Sequence, residues 1–152
     1  MNRILPFVLG LLAVPLLQAQ QRDGMLPRLS PNATVSQTIG ITDVTLGYSR
    51  PAVRGRTLFG PEGSGALEAY GKPWRLGANE ATTITFSTDV RVEDQPLPAG
   101  TYSFFAIPGE DAWTFVFNRT AIQWGAFNYD TSEDSLRVTV PSSDGPHMEN
   151  LL

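Results

Sequence analysis

The chain has 152 residues, of which 41% are hydrophobic and 17% charged, and its formal net charge is -4 at pH 7. This composition is typical of one globular domain and is too apolar for a disordered polyelectrolyte. The acidic balance and the absence of any basic run argue against nucleic-acid binding, and the absence of cysteine excludes disulfides and thiol chemistry.

The N-terminus has the pattern of a secretory signal peptide, predicted to cover residues 1–19. Arg3 supplies a positive charge, residues 4–17 form an apolar stretch, and LQAQ offers a cleavage site after Ala19. The apolar stretch is shorter than the roughly 18 to 20 residues that span a bilayer. We therefore expect export, cleavage with no remaining membrane span, and a periplasmic or secreted location.

Residues 20–32 lack periodicity and are predicted to be a flexible leader into a single domain, 33–152. Period-two alternation then begins, and the runs TVSQTIG and DVTLGYS predict an opening β-hairpin. At the other end PHMENLL looks like the start of a further strand, so we expect the domain to be truncated at its C-terminus.

The next segment, RPAVRGRTLFGPEGSGALEAYGKPW, has no sustained period, and long irregular connections inside compact domains are often functional. A short helical turn is predicted around GALEAYG, ending at Gly71. In the following WRLGANE, Gly77 is expected to adopt a positive φ. Asn79 and Glu80 are placed either to cap that turn or to face a cleft shared with Arg75.

Strand patterns dominate the rest of the chain. ATTITFSTDV alternates Ile84 and Phe86 with polar residues, and VRV is predicted to be a short strand before a turn carrying Pro96, Pro98 and Gly100. Strands follow at TYSFFAI, AWTFVFN and DSLRVTV. The predicted fold is all-β with little helix: an antiparallel β-sandwich, jelly-roll-like or a partly open barrel.

Several kinds of catalytic site find no support in the sequence. His147 is the only histidine, and DTSED lacks the remaining ligands of a calcium loop, so neither a metal site nor a cofactor is predicted. No GxSxG motif is present for a nucleophilic serine. Paired carboxylates stay open, with Glu62, Glu68, Glu80, Asp89, Glu93, Glu110 and Asp111 as the candidates.

Arginines and aromatic residues flank the long connection and suggest a binding cleft. Guanidinium groups suit carboxylates, phosphates and sugar hydroxyls. The alternative is that the arginines fasten the connection by pairing with Glu62, Glu80 or backbone carbonyls. The residues concerned are Arg50, Arg54, Arg56 and Arg75, with Trp74, Trp124, Phe127 and Tyr129.

A set of motifs, in order, resembles one protein family. They are YSRP, GRTLFG, YGKPWRLGANEATTITFSTDV, LPAGTYSFFAIPG, WTFVFN and QWGAFNYDTSEDSLRV, and together they resemble the domain of unknown function 2911 family, exported bacterial proteins without an established biochemical role. The resemblance covers about residues 36–140. It implies a small β-rich domain behind a signal peptide, and it implies no catalytic residues. This chain departs from the family pattern at PEGSGALEA, where the family tends to be shorter.

The leading functional hypothesis is a noncatalytic binding or envelope-associated module with an unknown small molecule, glycan or envelope partner. One alternative is a hydrolase that uses Glu80, with its pKa raised by burial, and Arg75. Another is a purely structural accessory domain. The candidate binding residues are Arg50, Arg54, Arg75, Asn79, Glu80, Trp124 and Asn128.

Overall fold

A computed structural model describes residues 27–143 together with Gly145 and Met148. The predicted signal peptide, most of the predicted leader, His147 and the apolar C-terminal residues lie outside the described residues. Within the described part of the chain, no helix is long and apolar enough to cross a bilayer.

The described residues form a nearly all-β structure whose main element is an open antiparallel sheet of six strands, in the order β1-β2-β5-β8-β9-β10. The one helical segment described is a single 3-10 turn, Thr131–Glu133. The predicted all-β antiparallel fold with little helix is therefore confirmed. The strands are β1 (Asn32–Ile39), β2 (Thr42–Ser49), β3 (Phe59–Gly60), β4 (Glu68–Ala69), β5 (Thr82–Phe86), β6 (Val90–Val92), β7 (Gln95–Leu97), β8 (Gly100–Ile107), β9 (Ala112–Asn118) and β10 (Asp134–Pro141).

One face of the main sheet carries the larger core. Leu97 of β7, only 1% exposed, packs among side chains of β5, β8, β9 and β10. Since Val90 and Val92 of β6 pack there too, the β6–β7 hairpin forms a second, partial layer over this face and gives a sandwich-like arrangement. Burial of each large apolar side chain contributes about 1.5–3 kcal/mol. The buried members are Phe86, Leu97, Tyr102, Phe117, Leu136 and Val138.

The opposite face of the sheet carries a second, smaller cluster of buried apolar residues. Phe105 and Val116, both fully buried, pack there with Ala81, and Tyr129 lies against them from the segment that joins β9 to β10. Beyond this cluster the same face carries hydroxyl groups that pair across neighbouring strands. The exposed pairs are Ser36 with Thr45, Thr85 with Thr101, and Thr114 with Thr139, at oxygen–oxygen distances of 2.9, 2.9 and 2.8 Å.

Two local predictions are wrong. GALEAYG forms no helical turn, because its Glu68–Ala69 pairs in parallel with Phe59–Gly60 and becomes the short strand β4. Pro96 lies in β7 and not in a turn; the reversal occurs earlier, at Glu93 and Asp94, whose φ angles of 47° and 60° are those of a tight hairpin turn. The usual sequence signal for such a turn is Asn-Gly. Glu93-Asp94 lacks this signal, so the sequence does not reveal the turn.

Candidate binding cavity

The long connection between β2 and β5 encloses a cavity of about 380 Å³ at one end of the main sheet. Its volume lies in the range of small-molecule sites, which are mostly apolar with a few polar groups. The polar exceptions here are Ser30, Arg56, Glu68 and Arg75. The apolar residues that line it are Pro51, Ala52, Val53, Leu58, Phe59, Leu67, Trp74, Gly77, Ala78, Trp113 and Met148.

Three aromatic rings form one wall of the cavity. Phe59 contacts Trp74 and Trp113 edge to face, with ring centroids 5.0 and 4.7 Å apart, and the two tryptophan rings are 6.2 Å apart at 85°. Such pairs fix ring orientation beyond what burial alone would do. The wall is therefore held in shape before any ligand arrives.

Contacts within the long connection form another part of the cavity wall. The backbone N–H of Glu68 donates to the carbonyl oxygen of Leu58 at 2.8 Å, within the parallel β3–β4 pair. Arg56 donates from Nε to the carbonyl oxygen of Val53 at 2.9 Å and from its terminal nitrogen to that of Ala52 at 2.8 Å. Arg56 thus fastens the loop, as the alternative for the arginine set expects.

Arg75 enters the cavity from a segment held on both sides. Trp74 and Ala106 exchange backbone hydrogen bonds of 2.7 and 2.9 Å, which extends pairing along β8 beyond the end of β5. The carbonyl oxygen of Arg75 accepts from the N–H of Thr82 at 3.1 Å, and the Thr82 hydroxyl donates to the carbonyl oxygen of Leu76 at 2.9 Å. The backbone that carries Arg75 is therefore rigidly placed.

Position 77 requires glycine because there is no room for a side chain, and not because of its φ angle. The positive φ angles in this segment belong to Leu76 and Asn79, at 54° and 61°, so the expectation for Gly77 is wrong. A Cβ at position 77 would lie 2.8 Å from the carbonyl oxygen of Ser49. The close approach lets Ala78 donate its N–H to that same oxygen at 3.3 Å.

The Arg75 guanidinium has no protein partner among the described residues. Its Nε is buried without a hydrogen bond, and no ion pair joins the side chain to a described carboxylate. Buried donors are normally satisfied, and leaving one unsatisfied costs about 1–3 kcal/mol. The terminal nitrogens, which likewise have no hydrogen bond to a described residue, are not buried, so they are the donors of Arg75 that another molecule can reach.

Glu68 is the acidic group of the cavity. Burial raises the pKa of its carboxyl group, and the positive charge of Arg75 offsets this only in part. A carboxyl group with a raised pKa in a cavity is a recognised mark of functional sites. In the sequence, Glu68 is one of seven candidate carboxylates, and no sequence feature distinguishes it as the one in the cavity.

Asn79 and Glu80 make their contacts elsewhere. The Glu80 carboxylate accepts from Arg28 at 2.7 Å, and the Asn79 amide donates to the carbonyl oxygen of Ser30 at 3.2 Å. Glu80 also bridges through its backbone to Trp124, and Gly125 donates its N–H to the carbonyl oxygen of Asn79 at 3.0 Å. These two residues hold the start of the domain and the segment after β9 against the sheet.

The environment of Glu80 is opposite to the one that the hydrolase hypothesis requires. The hydrogen bond from Arg28 lowers the pKa of the Glu80 carboxyl group, whereas a general acid would need it raised. Its side chain is 40% exposed and does not line the cavity that contains Arg75. The structure therefore does not bring Glu80 and Arg75 together in this cavity.

The residues predicted to form one cleft therefore do not all lie together. Arg75 lines the cavity, while Arg50, Arg54 and Asn128 are exposed and do not line it. Trp124, 56% exposed, also lies outside the cavity. In residues 27–143 no three acidic or histidine side chains converge on a point where a metal ion would fit.

Comparison with known proteins identifies a family. The sequence model of a family described as "Protein of unknown function (DUF2911)" matches residues 30–152. No match was found among curated proteins or among solved structures.

Proposed function

Because the chain belongs to the DUF2911 family, whose description names no activity, we propose its function from the cavity: a noncatalytic domain that binds a small, mostly apolar molecule. The observation that carries this proposal is the Arg75 guanidinium, which lines an aromatic-walled cavity and has no hydrogen bond or ion pair with any described residue. The rigid backbone around Arg75 supports it, since a preformed site loses little free energy to ordering on binding.

The lining favours a small molecule over a glycan or a macromolecular partner. Sugars present many hydroxyl groups, and each would need a polar partner within the cavity. The polar side chains there are few, and Arg56 already donates to backbone carbonyls. A ligand with an apolar body and one polar end matches the lining better.

The proposal retains the periplasmic or secreted location expected from the signal-peptide pattern of residues 1–19. Fractionation of cells that produce the full-length, C-terminally tagged chain tests this location. Recovery of a shortened chain in the periplasm or medium supports it, whereas a full-length cytoplasmic chain contradicts it.

The binding function is tested by thermal shift of residues 20–152 against a library of small amphiphilic molecules. A ligand at one hundred times its Kd stabilises the folded state by about 2.7 kcal/mol. Ala78→Leu puts extra volume into the cavity lining and should abolish the shift, while Ala99→Leu, at an exposed position, should preserve it. The proposal fails if no molecule raises the melting temperature, or if the Ala78→Leu variant responds as the parent does.

A further inference from the structure

We propose that the ligand of the cavity is a small monocarboxylate whose carboxylate binds the Arg75 guanidinium and whose apolar body lies against Phe59, Trp74 and Trp113. This inference rests on the proposed binding function and specifies the class of ligand.

The charge of Arg75 calls for an anion and not merely for a hydrogen-bond acceptor. Its guanidinium is partly buried, stays protonated, and has neither a hydrogen bond nor an ion pair with any described side chain. The terminal nitrogens of Arg75 have no hydrogen bond to a described residue and, unlike Nε, are not buried. A carboxylate fits the planar edge that they form through two parallel hydrogen bonds. Such a pair supplies the missing acceptor and places a negative charge in direct contact with the guanidinium, which Glu68 interacts with only from beyond 4.0 Å.

Glu68 limits the ligand to one negative charge. Glu68 lies in the same cavity, and its charge interacts with that of Arg75. The two side chains do not form an ion pair within 4.0 Å. A second anionic group on the ligand would be repelled by the negative charge of Glu68. It would also find no second cation to bind, because Arg56 already donates to the carbonyl oxygens of Val53 and Ala52. Like charges held close in a poorly solvated site repel strongly.

The remaining lining sets the apolar part of the ligand. The rings of Phe59, Trp74 and Trp113 meet edge to face, and they leave aromatic surface toward the cavity together with Leu58 and Leu67. A ring or a branched aliphatic group packs well on such a surface. The class is therefore an aryl or branched-chain acid.

Binding of an anion should also take up a proton at Glu68. A new negative charge near this carboxyl group favours its protonated form, so affinity should rise as pH falls towards the pKa of Glu68. The charged groups that face Glu68 from the cavity wall are Arg75 and Arg56. A guanidinium group is not deprotonated in proteins, so Glu68 is the only one of these three side chains whose charge changes. The ligand carboxylate must stay ionised over the same interval.

The test measures the affinity of residues 20–152 for phenylacetate, phenylacetamide, phenylethanol and phenylmalonate by calorimetry and tryptophan fluorescence. Phenylacetate should bind about tenfold to hundredfold more tightly than the amide and the alcohol, because a charge-assisted bond is lost with each of these. Phenylmalonate, a dianion, should bind more weakly than phenylacetate.

Two variants assign the effect to the residues. Arg75→Gln should remove the preference for the acid while the neutral compounds keep their affinity, and Arg50→Gln, at an exposed position outside the cavity, should behave as the parent does. Glu68→Gln should tighten phenylacetate binding and make it independent of pH between about 8 and 5.

The outcomes separate this inference from the proposed function. If amides or alcohols bind in the cavity as tightly as their acids, the carboxylate inference is overturned and the binding function stands. If neither this panel nor the wider library binds, both fall. If acids bind equally well to the Arg75→Gln variant, the role of Arg75 is refuted even though the ligand class survives.

Discussion

At the scale of single residues, the stretch from Trp74 to Glu80 contains two different kinds of position. The Arg75 guanidinium, at the wall of a cavity, has no hydrogen bond to any described residue, whereas Asn79 and Glu80 form hydrogen bonds with neighbouring segments. Residue types alone did not separate these roles, because Arg, Asn and Glu suit a loop fastener as well as a binding site. The role of each residue depends on where its backbone runs along the edge of the sheet.

Gly77→Ala should lower the free energy of unfolding by about 1–3 kcal/mol, the usual cost of forcing atoms into a filled space. The new methyl group would lie 2.8 Å from the carbonyl oxygen of Ser49. Urea denaturation measures the change. Gly145→Ala is the matched control, since its Cβ meets nothing within 4 Å, and it should have little effect. Equal effects of the two substitutions would contradict the steric explanation.

Glu68→Gln should change how stability depends on pH. The folded-state pKa of Glu68 is raised by burial, so the folded protein binds this proton more tightly, and the free energy of unfolding declines as pH rises from the unfolded pKa through the folded one. Removing the charge abolishes this decline, so the variant should gain stability relative to the parent at pH 7 compared with pH 4. Denaturant midpoints at the two pH values measure the difference.

Glu62→Gln serves as the control for this experiment. Glu62 lies in the same connection, but its side chain is 78% exposed and only 3.8 Å from the partly exposed Lys72. A surface pair of this kind contributes little. If both substitutions shift the pH profile equally, burial of Glu68 is not the cause.

At the scale of elements, the segment between β9 and β10 is anchored by one buried amide. Asn118, fully buried, donates from Nδ2 to the carbonyl oxygen of Asp130 and to the Asp134 carboxylate, both at 2.9 Å. That carboxylate also accepts from the Tyr129 hydroxyl at 2.7 Å and from Arg137 at 2.6 Å. Burial raises the pKa of Tyr129, which keeps its hydroxyl group a donor.

Asn118→Ala should lower the free energy of unfolding by about 2–4 kcal/mol, because several buried groups lose their partners at once. Arg119→Ala, which removes the exposed ion pair of Arg119 with Glu133, should cost at most about 1 kcal/mol. Thermal unfolding of the two variants compares them. A larger loss from Arg119→Ala would show that the surface pair, not the buried amide, holds the segment.

The elements also show what could be predicted from the sequence. Regular alternation located β2, β5, β8, β9 and β10, because each of these strands has one face against a core. The mostly exposed β1 was located by the same period, although only its pairing with β2 holds it. Two-residue strands such as β3 and β4 have too few positions for a period, and their pairing depends on contacts between distant parts of the connection. Arg75 and Trp74, which the sequence offers as candidates for a cleft, both line the cavity. Glu68 and Phe59 reach it through the β3–β4 pairing, and Trp113 reaches it from β9.

At the scale of the whole molecule, the main sheet separates two clusters of buried side chains that have no residue in common. Leu97 belongs to the cluster under the β6–β7 hairpin, and Phe105 to the one under the segment after β9. The backbone of the sheet lies between them. The two faces should therefore respond independently to substitution.

Leu97→Val and Phe105→Leu should each cost about 1 kcal/mol, as conservative changes of core volume do. In the double variant the costs should add to within about 0.5 kcal/mol, as they do for sites without shared partners. Denaturant unfolding of the parent, both single variants and the double variant completes the cycle. An interaction energy well above that margin would show that the faces are coupled through the sheet.

The paired hydroxyls on the outer part of the sheet have a consequence for how the protein meets its solvent. Ser36 with Thr45 and Thr85 with Thr101 satisfy one another across strands and carry no charge. Salt screens the interactions of ions and leaves those of neutral hydroxyls nearly unchanged. The hydration of these hydroxyl groups should therefore stay nearly constant from dilute to saline water, whereas that of lysine and glutamate side chains would vary.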